Sequence, residues 1–236
     1  MRDCIEGHMR DIIQAPEVFN LADYLLDSRV REGNGAKIAL RCPDQDWTYA
    51  EVEAESNRCA SLLLRQQVRV EERVLLAARD GIHFVAALFG ILKVGGVVVM
   101  LNPDLDADQC SNLINYSRAR VAFVEDGPTL NSMLEARMQQ DESTLTTLIR
   151  FPQAPSHMAV DRHITHSVIS DLTLQVIQYI DERESLSTDR YCRMMHRDDP
   201  ALWLFSGGTT GRPKAIVQPH RSFYFTTECY LSLIHI

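Results

Sequence analysis

The sequence predicts an α/β fold: a parallel, doubly wound sheet with flanking helices. Three observations predict it. Short runs of Val, Leu and Ala, namely RVLLAA (73–78), VVVML (97–101) and RVAFVE (120–125), recur with helical patterns between them. Strand and helix alternating at this spacing imply parallel strands joined by right-handed crossovers. The runs are continuously apolar rather than alternating, as expected of strands covered on both faces. Finally, the chain has 236 residues, 45% of them hydrophobic and 24% charged, which is the balance of a globular protein able to bury a core.

Taken in order, the elements follow from local chemistry. Residues 1–17 form a charged N-terminal extension without the apolar stretch of a secretory signal. Asn20 is placed to cap a helix over LADYLLDSRV, whose Leu21, Tyr24, Leu25 and Val30 recur at roughly helical spacing. KIALRC (37–42) reads as a strand and Trp47–Tyr49 as a short extended piece. A helix over Thr48–Leu64 begins with Thr48 and Glu51 in the pattern of a capping box. HFVAALFGILKVG (83–95) is a helix stopped by glycine, and Asp106–Tyr116 is a more polar one. Thr144–Phe151 supplies a further strand. The stretch from Pro152 to Arg197 is poorly patterned and rich in His, Ser, Asp and Arg, so it reads as a surface excursion with one helix near Leu172–Ile180. Ala201–Phe205 and Ala215–Val217 are the last two apolar runs, the first preceded by the turn Asp198-Asp199-Pro200 and the second ended by Pro219.

The totals exclude some functions. A net charge of −8 does not describe a nucleic-acid surface. The most apolar stretch, Phe84–Leu101, contains Lys93 and a Gly95-Gly96 break, and reads as helix then strand rather than a membrane span. The six cysteines form no CxxC pair and have no histidine at zinc-ligand spacing, so they read as reduced, structural thiols of a cytoplasmic protein.

One stretch stands apart, LFSGGTTGRPKAIV (204–217), which joins the last two strands as a hairpin-like loop. Phosphate oxygens need several donors converging on one point. Glycines let backbone amides approach and allow the positive φ that folds successive amides into an anion-holding concavity. Ser206, Thr209 and Thr210 add hydroxyls, while Arg212 and Lys214 add positive charge. Pro213 fixes the backbone just before the lysine. A solvated hairpin turn uses similar residues. A Walker-type loop does not fit, because Arg212-Pro213 separates Gly211 from Lys214, Ala215 follows, and a strand rather than a helix comes next. The Rossmann pattern GxGxxG is absent.

SGGTTGRPK (206–214) resembles the phosphate-binding signature of the adenylate-forming superfamily of acyl- and aryl-CoA synthetases, luciferases and peptide-synthetase adenylation domains. FNLADYLLDSRVREGNGAKIAL, WTYAEVEAESNRCASLL, RVLLAARDGIHFVAALFGILKVGGVVVMLNPDL and RARVAFVED are similar, in order and spacing, to the N-terminal part of these enzymes, most of all the benzoate-CoA ligase branch. The resemblance implies that 18–230 is part of an AMP-binding domain. It further implies a two-step reaction, in which a carboxylate attacks Mg-ATP to give an acyl-adenylate and a thiol, usually coenzyme A, displaces AMP. Ser206, Gly207, Gly208, Thr209, Thr210 and Gly211 would wrap the β- and γ-phosphates of ATP and Lys214 would neutralise them; His220, which matches a histidine that follows the loop, is counted with the nucleotide-binding residues, a helix-start or packing role being the alternative. Gly208 stands where many relatives carry a hydroxyl. Loading of a carrier-protein thiol, or non-catalytic ATP binding, are the alternatives.

Other polar residues carry less. Asp80 reads as a surface position at a strand end, and Asn102-Pro103 as the turn where the chain leaves the sheet. His157, His163 and His166 lack partnering ligands, so no metal site is assigned to them. Asp181-Glu182-Arg183-Glu184 reads as a charge run at a helix end. The superfamily's magnesium-binding glutamate, ribose-binding aspartate and adenylation lysine have no counterpart in this stretch, so the 236 residues alone are expected not to complete adenylation. The final LSLIHI matches the translation of a sequencing-library adaptor, and 231–236 is read as an artificial end on a gene fragment.

Overall fold

The computed structural model of the chain describes residues 15–138, 143–152, 174–206 and 214–234. It begins with a two-residue strand, β1 (Val18–Phe19), and a helical segment containing two π-helical turns, Asp23–Asp27 and Val30–Asn34. Asn20 opens that segment as expected, its Oδ1 accepting from the Ala22 amide at 2.8 Å. The same side chain is fully buried and donates through Nδ2 to the carbonyls of Leu92 and Arg193, both at 2.8 Å. A residue chosen for its cap therefore also ties the N-terminal segment to two distant ones.

β2 (Ile38–Arg41) and β3 (Asp46–Thr48) form a small antiparallel pair that delivers the chain into α1 (Tyr49–Arg65). The capping box is complete: the Thr48 hydroxyl accepts from the Glu51 amide at 3.3 Å, and the Glu51 carboxylate accepts from the Thr48 amide at 2.8 Å. The alternation then runs β4 (Arg73–Ala77), α2 (Ile82–Lys93), β5 (Val97–Met100), α3 (Ala107–Ser117), β6 (Val121–Glu125), α4 (Pro128–Met138), β7 (Thr147–Phe151) and β8 (Gln175–Gln178). After a short α5 (Tyr179–Glu182), β9 (Met195–His196) pairs with β1. The hairpin of β10 (Pro200–Ser206) and β11 (Lys214–Pro219) then leads into α6 (His220–Ile234).

The central sheet has the order β11-β10-β5-β4-β6-β7-β8. Every adjacent pair is parallel except β10–β11. Side chains alternate across it as a pleated strand requires. Val74 and Leu76 of β4 pack with residues of α1 and α2, whereas Leu75 and Ala77 pack with residues of α3 and α4. Both faces are dry, which is why these strands read as unbroken apolar runs. Full burial of each Val or Leu contributes about 1.5–3 kcal/mol, so this sandwich of helices and sheet supplies most of the drive to fold.

Two glycines have defined mechanical roles. At Gly90, α2 crosses α1 so closely that a Cβ would lie 2.5 Å from Cys59 Cβ and 3.0 Å from the Ser56 carbonyl oxygen. Gly95 ends α2 with φ of +78°, the left-handed conformation of a helix stop.

Two expectations need correction. The helix placed near Leu172–Ile180 is instead, over its described part, β8 followed by α5. Val176 and Ile177 sit in a parallel register against Leu148 and Ile149 of β7, and a free sheet edge outweighs weak helical spacing. Nor is the described part of Pro152–Arg197 a surface excursion, because Leu174, Ile177, Tyr179, Leu186 and Met195 are all buried. These apolar residues enter the core singly, so no periodicity marks them. α4 is an element that the sequence reading leaves unassigned, although Pro128 at its start and Leu130, Met133 and Leu134 on its buried side are helix signals.

Candidate functional site

The glycine-rich stretch is carried by the hairpin, as expected. Its two strands pair Trp203 with Val217, Phe205 with Ala215, and finally Ser206 with Lys214. Gly207, Gly208, Thr209, Thr210 and Gly211, together with Arg212 and Pro213, lie outside the described residues. Ser206 and Lys214 therefore stand opposite each other as the two posts of the loop, and both are exposed. No described side chain forms an ion pair with Lys214.

Where the loop emerges is decided by β10, which runs parallel to β5 with Leu202 opposite Val98 and Trp203 opposite Val99. Ser206, the last residue of β10, thus lies at the carboxyl edge of the parallel strands, the edge at which open α/β sheets bind ligands. The turn after β5 lies on the same edge. There Asn102 Oδ1 accepts from the Asp104 amide at 3.0 Å, so Asn102-Pro103 is the exit turn that the sequence indicates.

That edge also contains the point where the strand order reverses, between β4 and β6, and it is closed by the protein's own groups. Glu125 accepts from the Arg79 amide at 2.7 Å, Arg79 pairs with Asp104 at 2.9 Å, and Arg150 pairs with Asp126. Asp80 is exposed in the turn after β4, as a strand-end surface residue. Among the described residues, Lys214 at the hairpin end thus lacks an ion-pair partner, whereas the charged groups near the strand reversal are paired with one another.

His220 is the first residue of α6 and is fully buried. Its Nδ1 accepts from the Leu21 amide at 3.1 Å, and its own amide donates to the Asp199 carbonyl at 3.1 Å. Burial pushes its pKa down to about 4, with the Asp199 carboxylate opposing the shift. The neutral ring is therefore the one present at pH 7.

Several polar groups escape a sequence reading because their partners are far away in the chain. Lys93 is completely buried at the end of α2, its Nζ 2.7 Å from Asp27 Oδ1 and 2.6 Å from Asn57 Oδ1. Burial raises the pKa of Asp27, and the Lys93 charge counters it. Arg183 does more than end a helix: it reaches Glu55 on α1, which also accepts from the Tyr179 hydroxyl at 2.8 Å. Asp23, Asp27 and Cys192 bring ligand atoms within 4.8 Å of one another. Their charge is already taken up, since Lys93 holds Asp27 and Arg31 clasps Asp23 at 2.5 and 2.9 Å. Burial, aided by Asp27, also pushes the Cys192 thiol up to about 12. The carboxylates of this cluster serve the fold's own ion pairs. His157, His163 and His166 lie outside the described residues. Cys42, Cys59, Cys110 and Cys192 are free thiols, and among the described residues no helix is long and apolar enough to cross a membrane.

A doubly wound sheet whose carboxyl edge carries a glycine-rich hairpin, posted by a hydroxyl and a lysine, has the build of a nucleotide-handling α/β enzyme. The chain belongs to the AMP-binding enzyme family, whose sequence profile matches residues 27–234. Its relatives include the 3-hydroxybenzoate–CoA/4-hydroxybenzoate–CoA ligase of Thauera aromatica, 28% identical over 216 residues that make up 91% of this chain and 37% of that protein. The 4-hydroxybenzoate–CoA/benzoate–CoA ligase of Rhodopseudomonas palustris is 32% identical over 205 residues, 86% of this chain and 34% of that protein. Among solved structures, the anthranilate CoA ligase AuaEII in complex with anthranoyl-AMP superposes with a TM-score of 0.74 and 25% identity, covering 89% of this chain and 36% of that one. The chain thus spans about a third of the length of the curated relatives it matches.

Proposed function

We propose that the chain forms the triphosphate-gripping part of an ATP-dependent carboxylate–CoA ligase for an aromatic acid. The observation that carries this reading is the Ser206–Lys214 pair, which opens a loop of three glycines and two threonines on the carboxyl edge of the sheet. Its support from relatives is the activity of the hydroxybenzoate and benzoate ligases and the anthranoyl-AMP bound in AuaEII.

In the proposed reaction the carboxylate attacks the α-phosphorus of ATP, pyrophosphate departs, and the acyl-adenylate then passes its acyl group to a thiol with release of AMP. Negative charge grows on the departing pyrophosphate, so preorganised donors at those oxygens are the contribution this stretch can make. Lys214 supplies a mobile positive charge from a backbone start fixed by Pro213. Ser206, Thr209 and Thr210 would supply hydroxyl donors, and Gly207, Gly208 and Gly211 would let backbone amides approach the phosphates. The donor set fits a triphosphate, because Ser206 and Lys214 are exposed and the described residues offer them no competing anion. Mg²⁺ on the nucleotide would neutralise further phosphate charge, and no residue of this chain is assigned to hold it. Coenzyme A is the acceptor that the relatives' activities favour over a carrier-protein thiol.

The test is ATP–pyrophosphate exchange driven by benzoate or 4-hydroxybenzoate, measured on the polypeptide extended to the length of its relatives. Lys214→Ala is expected to lower exchange by about 100-fold or more, the scale of losing one preorganised charge-stabilising group. An unchanged rate would remove the assigned role of the loop.

A further inference from the structure

The joint between the N-terminal segment and α6 is built more elaborately than packing alone requires, and His220 is at its centre. The imidazole takes the Leu21 amide across 199 positions of sequence. On either side, the His220 and Arg221 amides donate to the carbonyls of Asp199 and Arg197 at 3.1 and 2.9 Å. The rest of the joint is aromatic: Tyr224 of α6 lies 5.6 Å from Phe19 and 5.1 Å from Tyr24, ring centre to ring centre, and the Tyr24 hydroxyl bonds Glu228. Because Nδ1 accepts, the proton of the neutral ring sits on Nε2, which is buried and has no partner among the described residues. A core that merely needed bulk would use an apolar side chain and leave no donor unpaired.

Position in the chain gives the joint a purpose. The six residues of β11 run from Lys214 to the residue before His220, and they are held along their length by β10. We propose that His220 is a positioning residue for Lys214: by accepting the Leu21 amide it pins the β11–α6 corner to the N-terminal segment, and the strand transmits that fixed point to the mouth of the loop. The inference rests on the reading of Lys214 as the triphosphate-binding lysine. It assigns His220 no contact with the nucleotide.

Steady-state ATP–pyrophosphate exchange in the extended polypeptide tests it with three variants, assayed well below their melting temperatures. His220→Asn keeps an acceptor near Nδ1, His220→Gln moves it to the place of Nε2, and His220→Leu removes it. His220→Leu and His220→Gln are expected to raise KM for ATP by about three- to tenfold, as loss of one neutral hydrogen bond allows, while KM for the carboxylate stays put. His220→Asn should restore the wild-type KM. An equal KM for ATP in all variants, with only the melting temperature altered, overturns the proposal. If His220→Leu does not fold, the Asn and Gln variants still decide: equal KM values in those two overturn it. Lys214→Ala separates the two levels. Should it abolish exchange while the histidine variants keep the wild-type KM, the positioning role alone fails; should it leave exchange intact, the phosphate reading fails and the positioning role with it.

Discussion

At the end of α2 one lysine is walled in; at the mouth of the β10–β11 hairpin another stands open to solvent. Lys93 has no exposed surface, and its ammonium meets both a carboxylate and an amide oxygen supplied by the fold. Lys214 sits on an exposed edge with a hydroxyl residue opposite it and no described anion beside it. Burying a charge is tolerable only when its partners are built in, whereas a charge at a surface loop keeps its partner position for something else. The two sites share a residue type and differ in who completes them, the chain or a ligand.

The sharpest way to break that comparison is to remove a built-in partner. Asp27→Ala leaves the Lys93 ammonium buried without its carboxylate, and urea unfolding should show a loss of about 3–5 kcal/mol. The double replacement Asp27→Leu with Lys93→Met should recover most of it. A single-variant loss below about 1 kcal/mol would mean that Lys93 relaxes to water, and the contrast would collapse. Lys214→Ala is the mirror experiment. It should cost the extended protein about 100-fold in exchange, equivalent to about 2.7 kcal/mol of transition-state stabilisation, yet change folding stability by no more than about 0.5 kcal/mol.

Gly90→Ala probes the packing that encloses Lys93, because the added methyl must displace Cys59 or the α1 backbone. Overpacking of this kind should cost about 1–3 kcal/mol in urea unfolding. The last effect concerns pH. His220 titrates near 4 in the fold and near 6.5 when unfolded, so between those values the unfolded chain binds more protons. The stability it contributes is complete above pH 6.5 and declines as pH falls towards 4. Comparing acid unfolding of wild type and His220→Asn should show a shallower decline in the variant. Equal slopes would mean that the ring is hydrated rather than buried.

Much of this was legible before any coordinates. Thr48 and Glu51 declare the start of α1, Gly95 declares the end of α2, and the runs at 73–78, 97–101 and 120–125 declare three strands covered on both faces, because each signal is local in sequence. α4 carries a weaker local signal, Pro128 at its start and the Leu130–Met133–Leu134 spacing on its buried side. β8 carries none, because Gln175–Gln178 becomes a strand only when β7 presents its edge.

The candidate site divides in the same way. Composition and order alone single out Ser206, the glycines and Lys214 as the stretch proposed to hold phosphate, since the demands of an anion on backbone and charge can be met within nine consecutive residues. Tertiary structure alone decided that the loop's two posts face each other on the carboxyl edge, that the strand reversal is closed by Glu125 and Arg150, and that His220 is spent on Leu21. It also decided which lysine is satisfied. Lys93 lies in an apolar helix and Lys214 in the glycine-rich stretch, but only the approach of Asp27 and Asn57 from other segments makes the first a structural ion pair. Burial and long-range pairing belong to the packed chain, so no window of sequence can contain them.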